Sequence, residues 1–374
     1  MKAKTTPPPK HRLIYRQLEA DIAAGKHAPG GRLPSEAQLV QKFGASRPTV
    51  ARALRDLQHA GLVQRRAGSG SYVREGANLA TSTRLLGLLI PGLGATEIFE
   101  VICGELASLS RVHDYSLLWG GSMQPLHATE ASITHAEEIC RQYIERKVSG
   151  VFFAPFELLP EKERANRRLA EALRQAGIPV ILLDRDLVPF PARSDFDLVG
   201  IDNVAGGFLL AEHLIKLGCR RIRFVARAQS APTVDARIAG VREALIRPPL
   251  EVPANWVAHG DPADLKFVRA LVAGRHSDAF ICANDFTAAV LLRSLETLGV
   301  RVPRDVRVVG FDDVKYATLL SVPLTTIHQP CRDLAVIAFR AMLERIAEPT
   351  IPARNLSVTP RLVVRESCGA YLPR

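Results

Sequence analysis

Residues 198–225 read LVGIDNVAGGFLLAEHLIKLGCRRIRFV. Leu198–Ile201 is a short apolar run closed by Asp202-Asn203. From Gly206 to Leu217 the apolar residues recur at helical spacing, and Gly218 ends the pattern. Arg221–Val225 is again a short apolar stretch. A short apolar strand, an amphipathic helix and a second short apolar strand thus follow one another, the alternation from which doubly wound parallel sheets are made.

The same alternation extends both ways. Strands are expected at Leu85–Pro91, Tyr115–Trp119, Gly150–Ala154, Pro179–Asp184, Ala279–Ala283 and Val306–Phe311. Helices are expected at about Glu97–His113, His135–Arg146, Arg164–Gly177, Ala236–Ile246, Leu265–Ala273 and Asp285–Leu298. The fold class is α/β: a doubly wound parallel sheet, made twice. Ligands in such sheets sit beyond the carboxyl ends of the strands. Those ends carry Glu157, Asp184-Arg185, Asp202-Asn203, Asn284-Asp285 and Asp312-Asp313. Carboxylates, amides and arginines that bridge neighbouring hydroxyls suit a sugar-like ligand, because each unpaired polar group in a closed cleft costs about 1–3 kcal/mol. The alternative is that each Asp or Asn caps the next helix or shapes a turn. Asp202-Asn203 and Asp285 fit that alternative best. Trp119, after the second strand, is either an apolar wall for a sugar or part of the core.

The chain has 374 residues, with 49 Lys+Arg, 38 Asp+Glu and a net charge of +11. The charge is not evenly spread. Residues 1–84 hold 15 basic and 5 acidic side chains, whereas the rest hold 34 and 33. A small basic module on a large neutral body reads as a nucleic-acid anchor joined to a sensor. The near-neutral body speaks against a polyanionic ligand and for a small, neutral or singly charged polyol.

Within the basic module, Leu13, Leu18 and Ile22 read as a first amphipathic helix ending near Gly25. Pro29-Gly30-Gly31 is a turn. Ser35 opens a second helix, and Gln38 completes a capping box. Leu39, Val40 and Phe43 give it an apolar face, and Gly44 ends it in a left-handed cap. Ser46 caps a third helix, with Pro48 tolerated in the first turn. Val50, Ala53, Leu54 and Leu57 face inward, leaving Arg47, Thr49, Arg52 and Arg55 outside. Two helices with so short a turn form a helix-turn-helix. Leu62–Arg66 and Ser71–Val73 then flank a glycine-rich turn as a β-hairpin. Its arginines Arg65 and Arg66 and its tip let the backbone approach phosphates, which makes a winged helix-turn-helix.

RLPSEAQLVQKFGASRPTVARALRDLQHAGLVQRRAGSGSYV resembles the DNA-binding domain of the GntR (gluconate-repressor) family over about residues 11–74. The resemblance implies DNA contacts at Ser46, Arg47, Thr49 and Gly68. Ala37 and Ala51 stand where many members place arginines, and Arg52 or Arg55 is the candidate to compensate. The body resembles the effector domain of the LacI/GalR family, and hence periplasmic sugar-binding proteins, over about residues 84–368. The motifs are GIPVILLDRD, DNVAGGFLLAEHLIKLGCRRIRFV, ARIAGVREAL, CANDFTAAVLLRSLETLGVRVPRDVRVVGFDD and PLTTIHQP. By that resemblance Asp184, Arg185, Arg237, Asn284, Asp312 and Gln329 hold the effector, and Glu157 joins them from the strand ends. After the first strand, Ala95, Glu97 and Ile98 replace the Asn and aromatics often found there. The combination resembles the arabinose-repressor group.

The expected organisation is a disordered tail (1–10), a winged helix-turn-helix (11–73), a linker (74–84) and an effector and dimerisation body (85–370). The body divides into an N-subdomain (about 85–199 and 328–355) and a C-subdomain (about 200–327 and 356–370). The expected function is a cytoplasmic, homodimeric transcription regulator, a repressor, reading a palindromic double-stranded DNA operator under control of a sugar-like effector. The alternatives are a solute-binding protein or enzyme on a sugar-binding scaffold, or a regulator whose cleft serves a protein partner.

Other chemistry finds little support. Gly92-Leu-Gly94 lacks the third glycine of a dinucleotide fingerprint, since Glu97 stands there, and no P-loop is present. Ten histidines show no H-x-x-x-H spacing, so no metal or other cofactor is expected. Six cysteines lack C-x-x-C spacing and read as reduced thiols. Glu137-Glu138 and Asp312-Asp313 have no nucleophile motif beside them and read as helix-face or turn residues. No apolar run approaches the roughly 18–20 residues of a membrane span, and no secretory signal peptide is recognisable.

Overall fold

Ser35 and Gly44 set the ends of a helix that organises the first part of the chain. Gln38 N donates to Ser35 Oγ at 3.3 Å and Ser35 N to Gln38 Oε1 at 2.8 Å, so the capping box is complete. Gly44 takes φ 54°, which a residue with a Cβ adopts at a cost. The computed structural model describes residues 10–23, 25–59, 61–66, 69–74, 84–90, 97–120, 130–247, 252, 255–273 and 277–372. Contacts divide the chain into two units, residues 1–83 and 84–374.

The first unit contains α1 (Lys10–Ala23), α2 (Glu36–Phe43), α3 (Arg47–His59) and a hairpin of β1 (Val63–Arg66) and β2 (Gly70–Val73). Its core joins Ile14, Leu18, Ile22, Leu39, Val50, Ala53, Leu54, Leu57, Val63 and Val73. Leu13 does not belong to it and is 48% exposed; Ile14 takes that place, because the i, i+4, i+8 stripe of α1 runs 14, 18, 22. Arg32 bridges Tyr72 in antiparallel fashion and widens the hairpin. Most of the expected linker, the expected tail up to residue 9 and Gly92-Leu-Gly94 lie outside the described residues, as does Ala95.

The second unit has two lobes. The first lobe is a six-stranded parallel sheet in the order β13-β7-β6-β5-β3-β4. Its strands are β3 (Arg84–Leu89), β4 (Tyr115–Trp119), β5 (Gly150–Phe153), β6 (Val180–Leu183), β7 (Asp197–Ile201) and β13 (Asn355–Val358). Helices α4 (Glu97–Val112), α5 (Glu130–Glu145), α6 (Lys162–Gln175) and α11 (Cys331–Ala347) accompany them. The second lobe is a four-stranded parallel sheet, β11-β9 in outer positions: the order is β11-β10-β8-β9. It comprises β8 (Ile222–Ala226), β9 (Val257–His259), β10 (Ala279–Cys282) and β11 (Arg307–Val309). Its helices are α7 (Asn203–Lys216), α8 (Pro232–Ile246), α9 (Leu265–Val272) and α10 (Asp285–Thr297). A short antiparallel pair, β12 (Thr326–His328) with β14 (Arg361–Val363), lies beside the end of β11, joined to it by parallel bridges at Val309–Thr325 and Asp312–His328.

The division between lobes differs from the expected one. Strand β7 runs through residue 201 and β13 through 358, both in the first sheet, so neither 199/200 nor 355/356 is a boundary. Strands end where backbone pairing ends, which local sequence does not mark. Helix α5 begins five residues before His135, and α8 begins at Pro232, a residue suited to a helix start. In each sheet the chain leaves one strand to the left and its neighbour to the right: β3 and β5 in the first lobe, β8 and β10 in the second. These switch points open a crevice beyond the strand ends.

Candidate functional site

On α3, Arg47, Arg52 and Arg55 are exposed, while Thr49 is half-buried and its hydroxyl lies 2.8 Å from that of Ser46. Ala37 is exposed and Ala51 half-buried. The hairpin arginines are not free. Arg65 pairs with Glu36 of α2, and the Arg66 guanidinium lies 4.8 Å from the centre of the Tyr72 ring. Gly68 lies outside the described residues. An exposed cation that sequence reasoning missed is Arg32. A Cβ on Gly70 (φ 120°) would stand 3.0 Å from its Nε, so glycine leaves room for that guanidinium beside the hairpin. Its signal was the bridge to Tyr72, which the sequence does not announce.

Most of the expected effector residues gather in the crevice of the second unit. Arg185 follows β6 and is 5% exposed. Its Nη1 lies 2.5 Å from Glu157, which follows β5, and its Nε 3.1 Å from Asp184. Burial alone would weaken the Arg185 charge, but Glu157 and Asp184 overcome it and hold the guanidinium above its ordinary pKa. Burial raises Glu157, yet the Arg185 cation outweighs this and the carboxyl titrates below its usual range.

Arg237, on α8, is 4% exposed. It donates to Asn203 Oδ1 at 2.9 Å and to the Ala283 carbonyl at 2.5 Å, lies 3.7 Å from Asp312 and stacks on Phe311, 3.6 Å from the ring centre. Two glycines make this possible. A Cβ on Gly207 would meet the Arg237 carbonyl at 2.1 Å, and one on Gly240 the Val204 carbonyl at 1.9 Å, so α7 and α8 cross backbone against backbone. Gln329 Nε2 donates to Asp312 Oδ1 at 2.7 Å. Burial pushes the Asp312 carboxyl up to about 7; Arg237 and Gln329 oppose the rise, while Asp184 and Glu157 add to it.

Among the described residues, two acceptors here find no hydrogen-bond partner: Asp184 Oδ1 and Gln329 Oε1. Both side chains are buried, at 6% and 2% exposure. Gln329 and Asp312 border a cavity of about 380 Å³ with Glu97, Ile98 and Cys331. Asp184 borders a second, of about 180 Å³, with Asn203 and Thr233.

The remaining expectations divide. Asn284 caps α10, its Oδ1 accepting from Thr287 N at 2.8 Å, and Asp202 caps α7. Asp285 is not the cap. It is buried, accepts from Thr326 Oγ1 at 2.6 Å and from Val314 N at 3.1 Å, and burial followed by the Asp312 charge raises its pKa well above normal. One residue further into the helix, its side chain turns inward. Asn203 does more than shape a turn, since it holds Arg237. Trp119 is 44% exposed and so is not core. Glu137 pairs with Arg168 at 2.5 Å, and Asp313 with Arg365 at 2.6 Å and His328 at 2.8 Å. Among the described residues, no group of three or more His, Cys, Asp or Glu is placed to hold a metal ion, and no helix is long and apolar enough to cross a membrane.

Comparison with known proteins matches residues 10–73 to "Bacterial regulatory proteins, gntR family" and residues 211–368 to "Periplasmic binding protein-like domain". The arabinose metabolism transcriptional repressor of Geobacillus stearothermophilus is 27% identical over 98% of this chain and 99% of its own. The HTH-type transcriptional repressor PurR of Klebsiella pneumoniae is 28% identical over 76% of this chain and 80% of its own. The lac repressor dimer bound to operator and the anti-inducer ONPF shares the fold: TM-score 0.62, 22% identity, 77% of this chain and 95% of that one.

The chain thus joins a GntR-type helix-turn-helix domain to a periplasmic-binding-protein-like domain. Proteins so built are DNA-binding transcription regulators answering to a small effector, and this chain is one of them.

Proposed function

We propose that this protein is a repressor that releases or retains its operator according to whether a neutral sugar occupies the crevice of the second unit. One observation carries the ligand class: among the described residues Asp184 Oδ1 and Gln329 Oε1 are buried acceptors without donors, in a site where Arg185 is paired with Glu157 and Asp184 and Arg237 is tied to Asn203, the Ala283 carbonyl and Asp312. Hydroxyl groups supply donors without adding charge, whereas a fully ionised phosphate group supplies none and meets repulsion from the Glu157 and Asp184 carboxylates. The name of the Geobacillus relative supports a pentose. The protein acts as a homodimer, so that two copies of α3 read the halves of a palindromic site, with Arg47, Arg52, Arg55, Ser46 and Thr49 toward DNA. The second unit binds its ligand and does not turn it over.

The test is thermal melting of the full chain with L-arabinose, other pentoses, hexoses and sugar phosphates, followed by titration of upstream DNA with each hit. A neutral sugar should raise the melting temperature of the wild type but not of Asp312→Ala, and change operator affinity by about 5–150-fold. Stabilisation by sugar phosphates alone would overturn the ligand class. No hit across the panel would favour a protein partner in the crevice.

A further inference from the structure

Lys162 is a lysine 7% exposed at the start of α6, in the first lobe. Lysine is seldom so buried unless its ammonium is satisfied. Here its partners are two backbone carbonyls of the other lobe: Nζ donates to Gln229 O at 2.8 Å and to Ser230 O at 2.5 Å. Leu158 N donates to the same Gln229 carbonyl at 2.7 Å. Leu158 and Gln229 both take left-handed backbone conformations, φ 60° and 59°, which cost energy unless the surroundings hold them. Burial lowers the Lys162 pKa, and the carboxylates of Glu157, Glu163 and Asp235 oppose that loss of charge.

The two segments so joined are those beyond the switch-point strands β5 and β8. Each also leads into the arginine network. Glu157, next to Leu158, pairs with Arg185. Residues 229–231 run straight into α8, which carries Arg237. Among the described residues, two further bonds span the lobes at the crevice: Lys315 N donates to Glu97 Oε2 at 2.8 Å, and the Ala231 backbone donates to the Glu157 carboxylate.

We propose that Lys162, with the Leu158 amide, is a clasp that holds the two lobes together across the crevice and sets how often it opens. No part of the GntR-like unit is involved. The clasp stands on the geometry alone; its importance for regulation rests on the effector reading above.

Hydrogen exchange of the full chain, without DNA or sugar, tests it. In the wild type the Leu158 amide should be protected. In Lys162→Met, segments 157–162 and 226–232 should exchange at least about tenfold faster, as expected for loss of a charge-assisted bond, with β5 and α3 unchanged. Lys162→Arg should restore most of the protection. Unchanged exchange in Lys162→Met, or an unprotected Leu158 amide in the wild type, would overturn the clasp. If Lys162→Met exchanges faster everywhere, it has lost its global fold, and protection of the wild-type Leu158 amide decides. Faster local exchange together with no sugar effect on operator binding would keep the clasp and remove the effector reading.

Discussion

Arginine is used in opposite ways in the two units. On α3, Arg47, Arg52 and Arg55 stand in water. In the crevice, Arg185 and Arg237 are 5% and 4% exposed, each tied to several acceptors. An exposed arginine is a charge to spend on a polyanion, releasing counterions from DNA. A buried one is already spent: its charge is balanced internally, and its work is to fix geometry. The net charge of the chain therefore describes the first unit and says little about the second.

The comparison is broken most severely by Arg237→Ala. Removal takes the cation from beside Asp312, leaves Asn203 Oδ1 and the Ala283 carbonyl without this donor and empties the face of Phe311, so the second unit should lose about 3–5 kcal/mol in urea denaturation. Arg47→Ala should leave melting unchanged and weaken operator binding by about 1–3 kcal/mol if it reads a base. If it contacts only phosphate, the salt slope should fall by about 0.9. Operator binding indifferent to both salt and Arg47 would remove α3 from the interface.

A smaller effect sharpens the crevice side. With the Asp312 carboxyl raised to about 7 by burial, it titrates near neutrality in the free protein. A sugar hydroxyl donating to that carboxylate selects the ionised form. Sugar affinity should then rise with pH, by up to about tenfold per unit below 7, and level off above 8. In Asp312→Asn the slope should vanish; calorimetric titration at several pH values checks both.

The smallest effect lies in the first unit. Asp21 is buried beside Lys26 at 2.8 Å and Lys42 at 3.4 Å, and the Lys26 bond, against the opposing effect of burial, holds its pKa down at about 2. A depressed carboxyl stabilises above its unfolded pKa of about 4, and that contribution is lost as pH falls from 4 to 2. Because both lysines are more than half exposed, Asp21→Asn should cost only about 1 kcal/mol at pH 7. The cost should disappear at pH 2 in denaturation of the first unit.

Much of this was legible in the sequence where spacing is local. The capping box at Ser35 and Gln38, the Gly44 cap and the inward set Val50, Ala53, Leu54 and Leu57 depend on neighbours within one or two helical turns. Leu13 failed because two adjacent apolar residues, Leu13 and Ile14, offered two helical stripes, and packing against α3 chose between them. Helix α11 and strands β9, β12, β13 and β14 were not expected. The strands are three or four residues long, too short for a period to show, and pair with partners distant in sequence. Asp285 and Asn284 illustrate the limit at the site. Both are good cap residues, and only the direction in which the strand delivers them to α10 decides which caps and which turns inward.

By itself, then, the sequence determined a basic winged helix-turn-helix before a βαβ body, and which polar residues stand at strand ends. These are properties of composition and of short periods. The tertiary structure decided the rest: that Arg237 rests on Phe311 because Gly207 and Gly240 let two helices touch, that Arg185 is balanced by Glu157, and that Lys162 reaches across to Gln229 and Ser230. Each of these joins residues that the chain keeps far apart, or on separate elements, and that meet only when the sheets close the distance.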